Sequence, residues 1–433
     1  MSKAGSGILS NIGWLTLDQM IRLSLGLLVG VWTARYLGPS EFGLFNFATA
    51  VVAIVGSLAT LGLNGVVVRH LILRPSEAPR ILASAASLQL VAGGCASVLA
   101  ILLVRVTNAD SASAITLVTI AALSLPFQWG SVVRYWYEAK VKSRYVVWID
   151  LSVFVAFSAV RVVLILAQAS VTYFAWSMAA QAACNALALL VMHFAAFGRG
   201  VFSTPDLGTC KQLIRQGWPL ALAGLAIIVY TRTDQLMLEM LCGSTSVGVY
   251  AAALKLSEIW YAFPVILTAS LFPSILLLRS ATPDRYRSRM QQLLRVLVAA
   301  AFFMGVLMTV AAPTLVPMVF GEDYSQSASI LRVHFWSAVF VFIGVASGNW
   351  LVAEGLQIHS LYRTVLGAVV NIAGNFVLIP PYGALGAAWA TLLSQIVAAY
   401  LMDAVSVSTR PMFIMKTRAL LFWRGWSPQG GLP

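Results

Sequence analysis

Long apolar runs, separated by short polar connections, fill the chain from Leu9 to Ser408. Twelve runs stand out, at approximately 9–33, 43–66, 81–104, 114–137, 145–168, 172–197, 218–241, 247–278, 290–320, 326–353, 360–380 and 383–408. Each has about the 20 residues that a helix needs to cross the hydrocarbon core of a bilayer. Backbone polar groups find no partner in lipid, so such runs are helices rather than isolated strands. The runs 247–278 and 290–320 are too long for a simple crossing, which predicts tilt or kinks. Pro126, Pro264, Pro273 and Pro313 lie inside runs and favour kinks.

The stretch Trp14–Ala50 organises the rest. Its apolar run carries Asp18 and Arg22, four apart and so on one helix face. It ends in ARYLGPSEFG, Ala34–Gly43, which predicts a tight helical hairpin. The pattern returns with Trp218 at an offset of 204 from Trp14, and Leu241 at the same offset from Leu37. After a one-residue slip, Gly43-Leu44-Phe45 matches Gly248-Val249-Tyr250, and Ala48 matches Ala253. This predicts an all-α integral membrane protein of two related halves: a six-helix lobe over 1–206, an interfacial linker 207–217, a second six-helix lobe 218–408 and a cytoplasmic tail 409–433.

Composition agrees. The chain has 433 residues, 60% hydrophobic and only 10% charged, whereas soluble domains carry about 25% charged residues. The formal net charge of +13 would suit nucleic acid, but its distribution argues otherwise. Alternate connections and both termini hold 21 cations, from Lys3, Arg69 and Arg134 to Arg363, Lys416 and Arg424. The opposite connections hold only Arg35 and Arg105, beside Glu41, Asp110, Glu239, Glu322 and Asp323. That asymmetry places the basic side, and both termini, in the cytoplasm. The surplus then faces anionic membrane lipids, and no nucleic-acid partner is expected. Six crossings per half make the repeat parallel, and transporters of this kind bind substrate between the halves. Lys3 precedes a run too long for a signal-peptide core, so 1–33 are expected to remain in the protein.

Five cations fall inside the runs: Arg22, Arg161, Arg232, Lys255 and Arg332. Each costs about 2.5–3.5 kcal/mol at the bilayer centre, so facing lipid they would cost roughly 12–17 kcal/mol together. They must therefore face protein or water. Pairwise neutralisation is one reading: Asp18–Arg22 and Lys255–Glu258 have helical spacing for it. Arg232 and Asp234 are two apart and diverge on a helix; Arg161 lies three turns from Asp150 on the same face, beyond contact. Arg161 and Arg232 are thus the leading candidates for an anionic ligand, with Arg22 and Lys255 behind them. A guanidinium fork suits phosphate or pyrophosphate because it holds two oxygens at once. Arg332 is expected to snorkel at a span end. Asp18, Asp150, Asp234 and Glu258 are candidates for ion coupling or for charge pairing. Gln19, Gln181, Asn185, Tyr230, Asn349, Asn371, Asn375 and Gln395 are candidates to line a cavity or to bridge helices.

The sequence has no phosphate-binding glycine loop, no HExxH and no CxxC among its four cysteines, so no enzyme, cofactor or metal site is expected. Without a nucleotide motif, an ion gradient is the expected energy source.

ARYLGPSEFGLFNFA (Ala34–Ala48) resembles the first hairpin of Wzx-type polysaccharide repeat-unit flippases, in the multidrug/oligosaccharidyl-lipid/polysaccharide exporter superfamily. TDQLMLEMLCGSTSVGVYAAALKLSE (Thr233–Glu258) resembles the start of their second half, and Gly321–Val333 and Asn375–Gln395 resemble two later segments. The resemblance implies two lobes around a cationic cavity, as in MATE transporters. It implies alternating access and an undecaprenyl-pyrophosphate-linked oligosaccharide as cargo. It further implies the bacterial inner membrane, a role in O-antigen, lipopolysaccharide or exopolysaccharide assembly, and polymerase and chain-length proteins as partners. Lipid II flippases of the superfamily usually carry extra C-terminal helices; twelve runs favour the polysaccharide branch. A multidrug/ion antiporter is the alternative, and it would want an acidic cavity. A membrane polymerase or transferase would need a large outer loop, which the sequence lacks.

Overall fold

A computed structural model describes residues 3–109, 111–198 and 203–421. Asp110, Arg199, Arg424 and the glycine-rich tail fall outside these residues. Among the described residues every regular element is helical. The chain divides into two compact units, 1–248 and 249–433. The first holds α1 (Lys3–Ala59), α2 (Leu63–Leu73), α3 (Ala78–Thr107), α4 (Ala112–Ala122), α5 (Ser131–Ala139), α6 (Arg144–Leu166), α7 (Val171–Phe197) and α8 (Leu207–Cys242). Then come α9 (Ser244–Glu258), α10 (Ala262–Ala281), α11 (Pro283–Phe320), α12 (Ser327–Ala353), α13 (Gln357–Ile396), α14 (Met402–Val405) and α15 (Arg410–Leu420).

Ten segments among the described residues are long and apolar enough to cross a membrane. Two of them, Asp18–Leu73 and Gln357–Val405, run 56 and 49 residues. At 1.5 Å per residue the longer would span about 84 Å, nearly three hydrocarbon thicknesses. Both are broken by a glycine. Gly38 takes φ 69°, ψ 171° inside α1, and Gly383 takes φ 56°, ψ −135° inside α13, after Pro380 and Pro381. Only glycine adopts such a backbone without steric cost. Gly243 between α8 and α9 has φ 79°, ψ 173°, the helix-ending conformation that Gly38 and Gly198 also take.

These two turns meet within the first unit. The Ser40 and Ser244 hydroxyls lie 3.4 Å apart. A Cβ at Gly43 would collide with the backbone oxygen of Ser244, and one at Gly248 with that of Pro39. Helix starts approach this closely only where side chains are absent. Farther along, Gly62 lies against Gly217 and Ala221, so α8 runs antiparallel to the second half of α1. The sequence 207–217 continues into the next apolar run as a single helix, α8. Pro126 sits in a 3-10 stretch, Leu125–Gly130, which splits the fourth run into α4 and α5.

Leu63, Val67, Leu71, Ile81, Leu82, Val132, Tyr135 and Leu213 form a core joining α2, α3, α5 and α8. Large apolar side chains such as Leu28, Val91, Val163 and Val191 point outward and are exposed. An apolar exterior suits lipid, not water. In the second unit, α15 is held against α11 and the segment around α14. Gln291 Nε2 donates to the Met415 carbonyl at 3.0 Å, and Tyr400 and Thr417 hydroxyls are 2.9 Å apart. Lys416 is fully buried there; its Nζ donates to Asp403 Oδ2 at 2.7 Å and to the Ala399 carbonyl at 2.6 Å. Arg363 holds the other oxygen of Asp403 through Nε and Nη2, and Ser347 through Nη1.

Candidate functional site: a cavity in the first unit

A cavity of about 730 Å³ opens inside the first unit. Four elements each present one stripe of residues to it. The second half of α1 brings Thr49, Ala53 and Gly56, the turn after it Thr60, and the 3-10 stretch brings Leu125 and Gln128. Helix α7 brings Met178, Gln181 and Asn185, and α8 brings Gly224, Ile227 and Ile228. Spacings of three and four residues are what one helix face requires. Its volume is within the range of small-molecule sites.

The walls are mostly apolar, and the polar groups set into them are incompletely paired. Gln128 Oε1 and Asn185 Oδ1 are buried without hydrogen-bond partners. Behind Gln181 stands Arg161 of α6, whose Nη2 donates to Gln181 Oε1 at 2.6 Å. Arg161 Nε is buried and unpaired, and no carboxylate pairs with this guanidinium among the described residues. A half-buried cation held only by a neutral amide is electrostatically incomplete. Behind Asn185 stands Asp150, within its hydrogen-bonding reach. Asp150 pairs with Arg134 at 2.8 Å, and its Oδ1 is left unpaired.

The sequence-derived candidates divide clearly. Asp18 and Arg22 pair with each other at 2.7 Å, and Arg22 stacks over Phe154 at 5.1 Å. Helical spacing had allowed this local pairing. Arg161 and Asp150 share a face of α6 as expected, and each reaches the cavity wall through an α7 amide. Arg232 is half-buried and lies one turn beyond Ile228, continuing the α8 stripe past the cavity. Asp234, on another face of α8, is buried. Lys255 is half-buried and Glu258 exposed, both on α9 outside the first unit. Arg332 Nε donates to the Thr309 carbonyl at 2.9 Å. Gln181 and Asn185, named for a cavity from sequence, do line one, whereas Asn375 and Asn371 hydrogen-bond to each other at 3.2 Å in the second unit. Sequence reasoning missed Gln128, and it placed Arg134 among loop cations. The overlooked signal was the spacing of Thr49, Ser57 and Thr60 in an otherwise apolar run.

Residues 8–278 match the family model described as polysaccharide biosynthesis protein, more than half of the chain. The chain belongs to the polysaccharide biosynthesis protein family. Residues 219–377 also match the MatE model. Capsular polysaccharide biosynthesis protein CapF of Staphylococcus aureus is 23% identical over 197 residues, covering 45% of this chain and 49% of that protein. Probable flippase AglR of Haloferax volcanii is 31% identical over 197 residues, covering 42% of this chain and 38% of that protein. The chain thus spans about half or less of the length of these relatives. The solved structure of the lipid II flippase MurJ, inward closed, has a TM-score of 0.75 at 13% identity, covering 94% of this chain and 90% of that one. The fold is therefore the one shared by MurJ and the MATE transporters, and this family member is a multi-pass membrane protein of the exporter superfamily.

Proposed function

We propose that this protein flips a lipid-pyrophosphate-linked oligosaccharide repeat unit across the bacterial inner membrane by alternating access. The observation that carries the reading is Arg161: a guanidinium without an acid partner, one amide away from a cavity whose walls hold unpaired acceptors. Pyrophosphate supplies the missing anion, and sugar hydroxyls supply donors for Gln128 and Asn185. Arg232 extends the cationic path along α8; Arg22, paired with Asp18, and Lys255, in the second unit, remain separate candidates. The prenyl chain stays in lipid against the apolar exterior. Family membership and the flippase relatives support the reading. On it, the breaks at Gly38 and Gly383 turn ten segments into twelve crossings, with both termini cytoplasmic. Polymerase and chain-length proteins then receive the cargo. No step requires covalent catalysis by the protein. An antiporter for cationic drugs would need the opposite charge balance at the cavity.

The test is complementation of surface-polysaccharide display, with membrane abundance measured in parallel. Arg161→Lys and Arg232→Lys should keep part of the activity, because charge stays while the fork is lost. Alanine should keep little and glutamate none, since it repels the anion where screening is weak. Normal display by Arg161→Glu and Arg232→Glu at normal abundance would refute the pyrophosphate role. Loss that merely tracks abundance would reduce both arginines to structural roles.

A further inference from the structure

Helix α8 carries a second unpaired group, away from the cavity. Gln235 and Glu239 lie one turn apart near its C-terminal end and share a face. Gln235 is 2% exposed and Glu239 9%. Gln235 Oε1 and Glu239 Oε2 are both buried, and neither has a hydrogen-bond partner. The helices packed on α8 are α1, α2 and α3. The charged residues Arg35, Glu41, Arg69, Arg80 and Arg105 on these helices are exposed. None of these arginines, nor Arg232 on α8, forms an ion pair with Glu239 among the described residues.

Two acceptors therefore face protein with no donor between them. An ionised carboxylate here would lack any compensating charge, a cost of several kcal/mol. The negative end of the α8 dipole adds to that cost. A metal ion fits poorly, because hard cations gather six or more oxygens and this face offers two. One proton resolves both deficits: it makes Glu239 a donor and gives Gln235 Oε1 its partner. Next to them is the Gly243 turn, whose N–H donates to the Glu239 carbonyl at 3.1 Å. A backbone rotation at that glycine would move the carboxyl toward or away from water.

We propose that Glu239 is a proton-binding site, held as a neutral carboxylic acid that donates to Gln235 and gives up its proton when the end of α8 becomes hydrated. The flippase reading enters only in what such a proton drives; the site itself is independent of it. Infrared spectroscopy of the full chain in lipid nanodiscs at neutral pH tests it without any substrate. The wild-type spectrum should contain the C=O stretch of a buried protonated carboxylic acid, shifted in D₂O and lost in Glu239→Gln. Gln235→Leu should move that band to higher frequency by removing its acceptor. Glu239→Gln has the shape of the neutral acid, so its elution profile and melting temperature should match wild type. A wild-type-minus-Glu239→Gln spectrum showing only carboxylate bands overturns the proposal. A band unmoved by Gln235→Leu overturns the pairing with Gln235. Either failure would leave the cavity reading standing.

Discussion

The buried cluster Arg363–Asp403–Lys416 makes a quantitative prediction. One acid faces two bases, all at most 6% exposed, so the cluster carries a net positive charge. Asp403 accepts from Arg363 Nε and Nη2 and from Lys416 Nζ. Asp403→Asn removes the only anion of the cluster, so Lys416 gives up its proton and the Arg363 guanidinium is left buried without a counter-charge. Breaking a buried pair in this way costs about 3–5 kcal/mol. Lys416→Met instead leaves the Arg363–Asp403 pair balanced and removes a buried charge; it loses the Ala399 contact, a cost of about 1–2 kcal/mol. The two changes thus differ in order as well as size. If the cost falls on undocking of α15, each 1.36 kcal/mol multiplies opening tenfold. Amide exchange in Met412–Ala419 should then accelerate by roughly 10²- to 10⁴-fold in Asp403→Asn and by about tenfold in Lys416→Met. Hydrogen-exchange mass spectrometry on the full chain in nanodiscs measures both. Acceleration below tenfold in Asp403→Asn, or a larger effect in Lys416→Met, would refute the charge argument.

The same cluster predicts a pH response. Burial, and then Arg363 beside it, push the Lys416 ammonium down to about 7, against the upward pull of Asp403. An undocked lysine has its ordinary value, near 10.5. Between those values the undocked state binds more protons, so docking strengthens as pH rises from about 7 toward 10 and is flat below. Intrinsic-rate-corrected exchange in α15 should slow across that window, and the trend should vanish in Lys416→Met. At the close approach of the two turns, Gly43→Ala or Gly248→Ala forces the backbones apart and should cost about 1–3 kcal/mol, read as a lowered melting temperature. Reporter fusions after Arg144 and Arg289 should read cytoplasmic and those after Asp110 and Asp323 periplasmic; the reverse at either pair would discard the twelve-crossing topology.

Helix positions were legible in the sequence because a 20-residue apolar run has few alternatives in a membrane. The Trp14/Trp218 repeat was legible too, and its two turns, at Ser40 and Ser244, lie against each other. Residues at the ends of runs were not legible. Arg134, Arg279, Arg363 and Lys416 counted as loop cations, yet each is tied to an acid: Asp150, Glu354 and, for the last two, Asp403. Loop counting registers charge but not side-chain direction, and these partners lie 13 or more residues away. Glu239 failed for the same reason; it read as an outer-connection acid but is buried on α8. Arg161 and Gln181 each stood among the candidates; only tertiary packing of α6 on α7 joins them.

The paired turns at Gly43 and Gly248 bear on descent. Each presents the same small-residue surface to the other, the arrangement of an isologous contact between identical subunits. Here both copies belong to one chain. An ancestral half-length protein associating through this patch would have carried every cavity charge twice. Fusion lifts that constraint: the repeat position of Arg232 is Leu28, and that of Arg161 falls at Val365 or Leu366. One copy of the patch could stay fixed by close packing while the charges around it diverged.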